Sequence, residues 1–107
     1  MSEPKMLRHV VMLGFKEGTT EAEIDEIIRR FGALPNEVPD IEAFECGENN
    51  SPEGLNDGLS HCFLLTFATK EARDAYLPHP NHKAFADWVG QWVAKVVVID
   101  YWAEAAS

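Results

Sequence analysis

Positive charge is scarce in this chain: 9 Lys and Arg stand against 18 Asp and Glu, a formal net charge of −9 over 107 residues. A phosphate backbone is repelled by such a balance except at a focused basic patch, and the one adjacent basic pair, Arg29-Arg30, follows Asp25 and Glu26. Nucleic acid is therefore not an expected partner. Cysteine is nearly absent too. Cys46 and Cys62 argue against a disulfide framework, and in a chain with no secretory signature two cysteines read first as small buried hydrophobes, with a single pairing as the secondary reading. No apolar run reaches the 18 residues of a membrane span, and the opening Met1-Ser2-Glu3-Pro4-Lys5 lacks the basic and apolar stretches of a signal peptide. The expectation is a cytoplasmic protein without a membrane partner.

What is present is ordinary globular composition, 46% hydrophobic and 25% charged, in a length that holds one domain. That domain is expected over residues 6–103. Leu7 to Phe15 is almost unbroken apolar sequence and predicts a central strand buried on both faces, with His9, Val11, Leu13 and Phe15 on one side. Thr20-x-x-Glu23 is a capping box opening a helix whose Ile24, Ile27, Ile28 and Phe31 make one apolar stripe, with a stop near Gly32 and Pro35. A second strand is expected over residues 41–48, then a turn-rich loop through Gly58. A third strand, residues 60–68, alternates His61, Phe63, Leu65 and Phe67 against Cys62, Leu64 and Thr66. Thr69 can cap a short helix turning Ala72, Ala75 and Tyr76 inward. A further helix carries Phe85, Trp88, Val89 and Trp92 on one face, and residues 95–102 form the last strand.

The order β-α-β-β-α-β predicts an α+β, ferredoxin-like fold: a four-stranded antiparallel sheet, strand order 4-1-3-2, with helices on one face. Two helical stripes cover only that face. The other still carries Val10, Met12, Cys62 and Leu64, and an apolar face of this kind predicts self-association. A homodimer that closes two sheets into a barrel would bury it.

Chemistry concentrates in Tyr76-Leu77-Pro78-His79-Pro80-Asn81-His82. A phenol and an imidazole can give and take protons, histidine near neutral pH. The prolines break the helix and bias His79 toward an extended or turn conformation. The plain structural alternative is that Tyr76 and His82 bond backbone groups freed by the prolines. Asp100, late in a strand beside the first, can approach His9, whereas His9 and His61 fall at opposite ends of the sheet. Four histidines and a carboxylate also admit metal binding, but no recognised ligand spacing is present, so no metal and no organic cofactor is expected.

Together, Arg8-His9-Val10-Val11 leading to Phe15, His61, the run from Ala75 to His82 and the closing Val98-Ile99-Asp100-Tyr101 resemble the stress-responsive dimeric α/β-barrel (Dabb) family over nearly the whole chain. The resemblance extends at each of these polar positions to its polyketide-cyclising members. It implies an acid/base pair on Tyr76 and His82, with His9, His61 and Asp100 in support, and a small apolar or aromatic, polyketide-like ligand held between sheet and helices. On this reading Val11, Leu13, Ile27, Phe31, Phe63 and Leu65 line the pocket, and a reaction there would be a cofactor-independent cyclase, lyase or isomerase step. A non-catalytic stress-related binding or assembly module stands as the alternative.

Overall fold

The computed structural model describes residues 5–104; the Met1–Pro4 part of the expected signal-free start lies outside them. The elements are β1 (Leu7–Phe15), α1 (Glu21–Glu37), β2 (Ala43–Glu48), β3 (His61–Phe67), α2 (Lys70–Tyr76), α3 (Pro80–Val89) and β4 (Val93–Trp102). The sheet is antiparallel throughout, in the order β2-β3-β1-β4, which is the ferredoxin-like arrangement expected. Among the described residues no helix is long and apolar enough to cross a membrane.

Alternation decides which residues meet the helices. On β1 and β3, Leu7, His9, Leu13, His61, Phe63, Leu65 and Phe67 are all buried on the helix side. Register pairs His9 with Leu65 and Leu13 with His61, so the two histidines sit four residues apart along the sheet. On the other side of β1, Asp100 of β4 stands opposite His9.

Helix α1 begins as its sequence dictates. Thr20 Oγ1 accepts from the Glu23 amide at 3.1 Å and Glu23 Oε1 accepts from the Thr20 amide at 2.9 Å. Glu23 also accepts from Trp92 Nε1 at 2.9 Å, tying the start of α1 to the turn after α3. These bonds hold the Glu23 carboxyl below its ordinary value, the Thr20 amide contributing most. The helix does not stop at Gly32. It runs through Pro35 to Glu37, and the Val38 amide still bonds Leu34 O at 2.8 Å. Leu34 and Val38 extend the Phe31 stripe and are almost wholly buried, and their burial offsets the proline's lost bond in the last turn.

Three smaller expectations are corrected. Ala75 faces solvent, leaving Tyr76 as the buried anchor of α2, and Trp92 lies beyond the end of α3. Both cysteines are exposed. Cys46 stands opposite Phe63 and Gly47 opposite Cys62, so alternation sends the two thiols to opposite faces of the sheet, where they cannot bridge.

Candidate functional site

The core and the cavity divide the helix side of the sheet between them. Helix α1 packs over β2, and its Phe31 stacks on Phe63 at 4.5 Å between ring centroids. Ile27, Phe63 and Leu65 are fully buried there. They are core and do not line the cavity. Helix α3 packs against α1 and stands off β4, leaving a cavity of about 330 Å³ over β1 and β4. Val11, Leu13 and Phe31 contribute to its wall. Leu77, Phe85, Ala86, Val89, Val93, Val96 and Val98 complete its apolar lining, and the polar side chains that reach it are His9, Tyr76 and His82. Val96 and Val98 face the helix layer yet remain 55% and 52% exposed, which places the mouth of the cavity along β4.

The proline bend builds the reactive end. His79 has φ −60° and ψ 134°, the extended backbone expected before a proline, and its Nδ1 accepts from the Asn81 amide at 3.1 Å. His79 is therefore the N-cap of α3, and Pro80 occupies the first turn where its missing amide costs nothing. This turn brings His82 back over Tyr76, with ring centroids 4.3 Å apart. His82 Nδ1 lies 2.9 Å from Leu77 O. A carbonyl oxygen only accepts, so Nδ1 carries the proton and Nε2 keeps a free lone pair. Burial pulls the His82 imidazole below its ordinary value, the Leu77 carbonyl opposes this, and His9 and His79 add to the lowering.

Tyr76 is almost wholly buried, and its hydroxyl has no hydrogen-bond partner among the described residues. A buried hydroxyl without a partner is costly and calls for a ligand or water atom. Burial pushes the phenol above its ordinary value, which keeps it protonated. His9 approaches from the sheet side at 5.8 Å between centroids, edge to face. Its Nδ1 lies 2.8 Å from Asp100 Oδ1, which as a carboxylate accepts, so Nδ1 carries a proton and Nε2 is the acceptor nitrogen of the neutral ring. Asp100 Oδ2 in turn accepts from Arg73 Nη1 at 2.6 Å. Arg73 is a participant that the sequence reading passed over, although it precedes Tyr76 by three residues and so shares its helix face.

His61 is not brought to this cluster. It lies at the far end of the sheet, its Nδ1 2.9 Å from Ser60 Oγ and its ring 5.4 Å from Phe15. No group of three or more His, Cys, Asp or Glu side chains among the described residues is arranged to hold a metal ion.

The residues gathered here make a proton donor, Tyr76, flanked by two imidazoles whose Nδ1 atoms are each tied to an oxygen acceptor, inside an apolar cavity. Known proteins share this fold. The chain is 38% identical over 95 residues to the stress-response A/B barrel domain-containing protein HS1 of Arabidopsis thaliana, covering 89% of this chain and 87% of that protein. It is 27% identical over 95 residues to olivetolic acid cyclase of Cannabis sativa, covering 89% and 94%. Among solved structures, the hydroxynitrile lyase of Passiflora edulis superposes with a TM-score of 0.89 at 26% identity, over 98% of this chain and 99% of that one. A dimeric ferredoxin-like protein of unknown function from Jannaschia sp. superposes with a TM-score of 0.79 at 28% identity, over 92% and 99%. The model of the stress-responsive A/B barrel domain (Dabb) matches residues 7–103, and with that extent of agreement the chain belongs to this family.

Proposed function

We propose that this protein is a homodimer whose sheet–helix cavity binds a small, neutral, largely apolar carbonyl compound and moves protons on it without a cofactor. The unpartnered Tyr76 hydroxyl carries this reading: a carbonyl oxygen that enters the cavity supplies the acceptor it lacks. His82 Nε2 then removes a proton from the carbon next to the carbonyl, and the Tyr76 hydroxyl stabilises the oxygen as charge develops. The proton on His82 returns to carbon or passes to oxygen as the step completes. Aldol-type cyclisation uses this exchange, in keeping with the name of the Cannabis protein. Cleavage of a hydroxynitrile, named for the Passiflora protein, would set the same base on the hydroxyl proton while the carbon–cyanide bond breaks and cyanide leaves as hydrogen cyanide. Among the described residues no lysine or arginine lines the cavity, which disfavours an anionic substrate.

Support for the dimer comes from the sheet face opposite the helices. Val10, Met12 and Leu64 there are only half-buried, while Ile99 and Tyr101 are 52% and 47% exposed. A second copy would cover this patch, and the Jannaschia protein is described as dimeric. Sedimentation at micromolar concentration should give twice the 12.0 kDa of one chain. A monomer removes this part of the proposal.

Proton abstraction is tested by incubating the protein with acetophenone in deuterium oxide and following loss of the methyl signal by NMR. Exchange faster than buffer, abolished in His82→Ala, supports the assignment. Exchange equal to buffer overturns it. A binding domain without turnover is the second reading, favoured by two Arabidopsis relatives that are named for stress response and for no reaction. It expects acetophenone to bind and not to exchange.

A further inference from the structure

The chain Arg73–Asp100–His9 links three elements: α2 supplies the guanidinium, β4 the carboxylate and β1 the imidazole. Arg73 and Asp100 keep side-chain exposures near one fifth and His9 is almost wholly buried, so solvent screens this chain far less than a surface pair. Helix α2 is only seven residues long and rests lightly on β3. The same helix presents Tyr76 to the cavity, and the Leu77 amide that closes its last turn bonds Arg73 O at 3.2 Å.

We propose that Arg73 is a positioning residue that acts through Asp100: it holds the carboxylate so that His9 stays a neutral acceptor beside Tyr76, and it clamps α2 onto the sheet. The proposal deepens the reading of the cavity as an acid/base site. An unaccompanied carboxylate 2.8 Å from His9 favours the imidazolium, which has no free nitrogen on its cavity side. The guanidinium on the other carboxylate oxygen offsets that pull and fixes the rotamer, leaving Oδ1 aimed at Nδ1. The other titratable or charged groups near the chain are Tyr76 on α2, His82 on α3 and Asp74, whose Oδ1 accepts from Arg73 Nε at 2.8 Å. Across β1, His9 faces Leu65, and its ring meets Phe67 edge to face at 6.4 Å, so β3 offers no competing charge.

The test is an NMR titration of the histidine ring protons in the full chain, comparing wild type, Arg73→Leu and Arg73→Lys, with His61 as internal reference. Arg73→Leu should move the His9 midpoint upward by roughly one pH unit, a tenfold change in proton affinity, while His61 stays in place. Arg73→Lys, which keeps the charge and loses the fork, should restore at least half of the shift. An Arg73→Leu variant that folds with the His9 midpoint unmoved overturns the proposal and leaves Arg73 a surface ion pair. Should Arg73→Leu fail to fold, Asp100→Asn is titrated with and without Arg73→Gln: with the carboxylate gone, Arg73 should no longer affect His9, and a persisting effect overturns the route through Asp100. Acetophenone exchange is read separately. Its absence in wild type removes the catalytic reading and leaves the titration result standing.

Discussion

One sheet carries two buried histidines on the same face, from adjacent strands, and surrounds them differently. His9 and His61 are 5% and 8% exposed, and each has one ring nitrogen in a hydrogen bond. His61 meets a neutral hydroxyl and an aromatic edge and lies away from the apolar cavity. His9 meets a carboxylate that has its own arginine, and across the ring from it lies a phenol with nothing to bond. Burial of a histidine therefore does not mark a site here. What marks it is the convergence of a charged second partner, an unsatisfied hydroxyl and open volume, and only the His9 end has all three.

The contrast is broken most directly by activity. His82→Ala and Tyr76→Phe should each slow acetophenone exchange about 100-fold or more, the scale of an acid/base group. His61→Gln should register as a loss of stability at the other end of the sheet. Equal loss of exchange from both ends would show that the division is wrong. A steric change at the His61 end should be smaller and purely structural. A Cβ on Gly14 would stand 2.3 Å from Gly58 O, where the loop of residues 49–59 crosses β1, and Ser60 N bonds Leu13 O beside it. Gly14→Ala should cost about 1–3 kcal/mol in denaturant unfolding by overpacking, with acetophenone exchange retained. An unchanged midpoint would mean that the loop yields freely.

Most of this layout is readable in the sequence because strand alternation and the helical stripe each have one consistent solution. The alternation of His9-Val11-Leu13 and of His61-Phe63-Leu65 already sets which side chains share a face, and antiparallel pairing puts the histidines at opposite ends. The bend at Pro78 and Pro80 is local chemistry and follows from the residues themselves. Tertiary quantities are less legible. Nothing in Ile27, Phe63 or Leu65 says that α1 will press down over β2 while α3 stands off, and that difference decides which apolar residues become core and which become wall. Pro35 is a helix stop by local preference, yet Leu34 and Val38 are drawn into the core and carry the helix past it. Arg73 looks like a solvated charge in a short helix, and only the β4 register reveals Asp100 within its reach.

Removing one hydroxyl at each end gives a finer comparison. Ser60→Ala deprives His61 Nδ1 of its partner and should cost about 1 kcal/mol, seen as a lowered unfolding midpoint. Tyr76→Phe removes a buried hydroxyl that bonds nothing, so its stability should fall within about 0.5 kcal/mol of wild type or rise above it. A clear loss from Tyr76→Phe without ligand would mean that the hydroxyl is satisfied in solution, and the observation carrying the carbonyl proposal would fail.

The smallest effect is the pH dependence of stability at the Tyr76 end. Burial leaves folded His82 with a proton affinity below the ordinary histidine value of 6.5. Above that value both folded and unfolded chains hold the imidazole neutral, and it contributes no pH dependence. As pH falls below 6.5 the unfolded chain takes up the proton first, so stability declines, and the decline ends once pH drops under the folded value. Melting temperature measured at pH 7.5 and at pH 5.5 should therefore fall further for wild type than for His82→Gln, which has nothing to titrate at this position. The same neutral imidazole is the form that can act as base, so acetophenone exchange should hold a plateau from pH 7 upward, until the Tyr76 phenol, raised by its own burial, begins to ionise. An identical drop in melting temperature for both proteins would show His82 as freely hydrated as an exposed histidine, and the enclosed base beside Tyr76 would be lost with it.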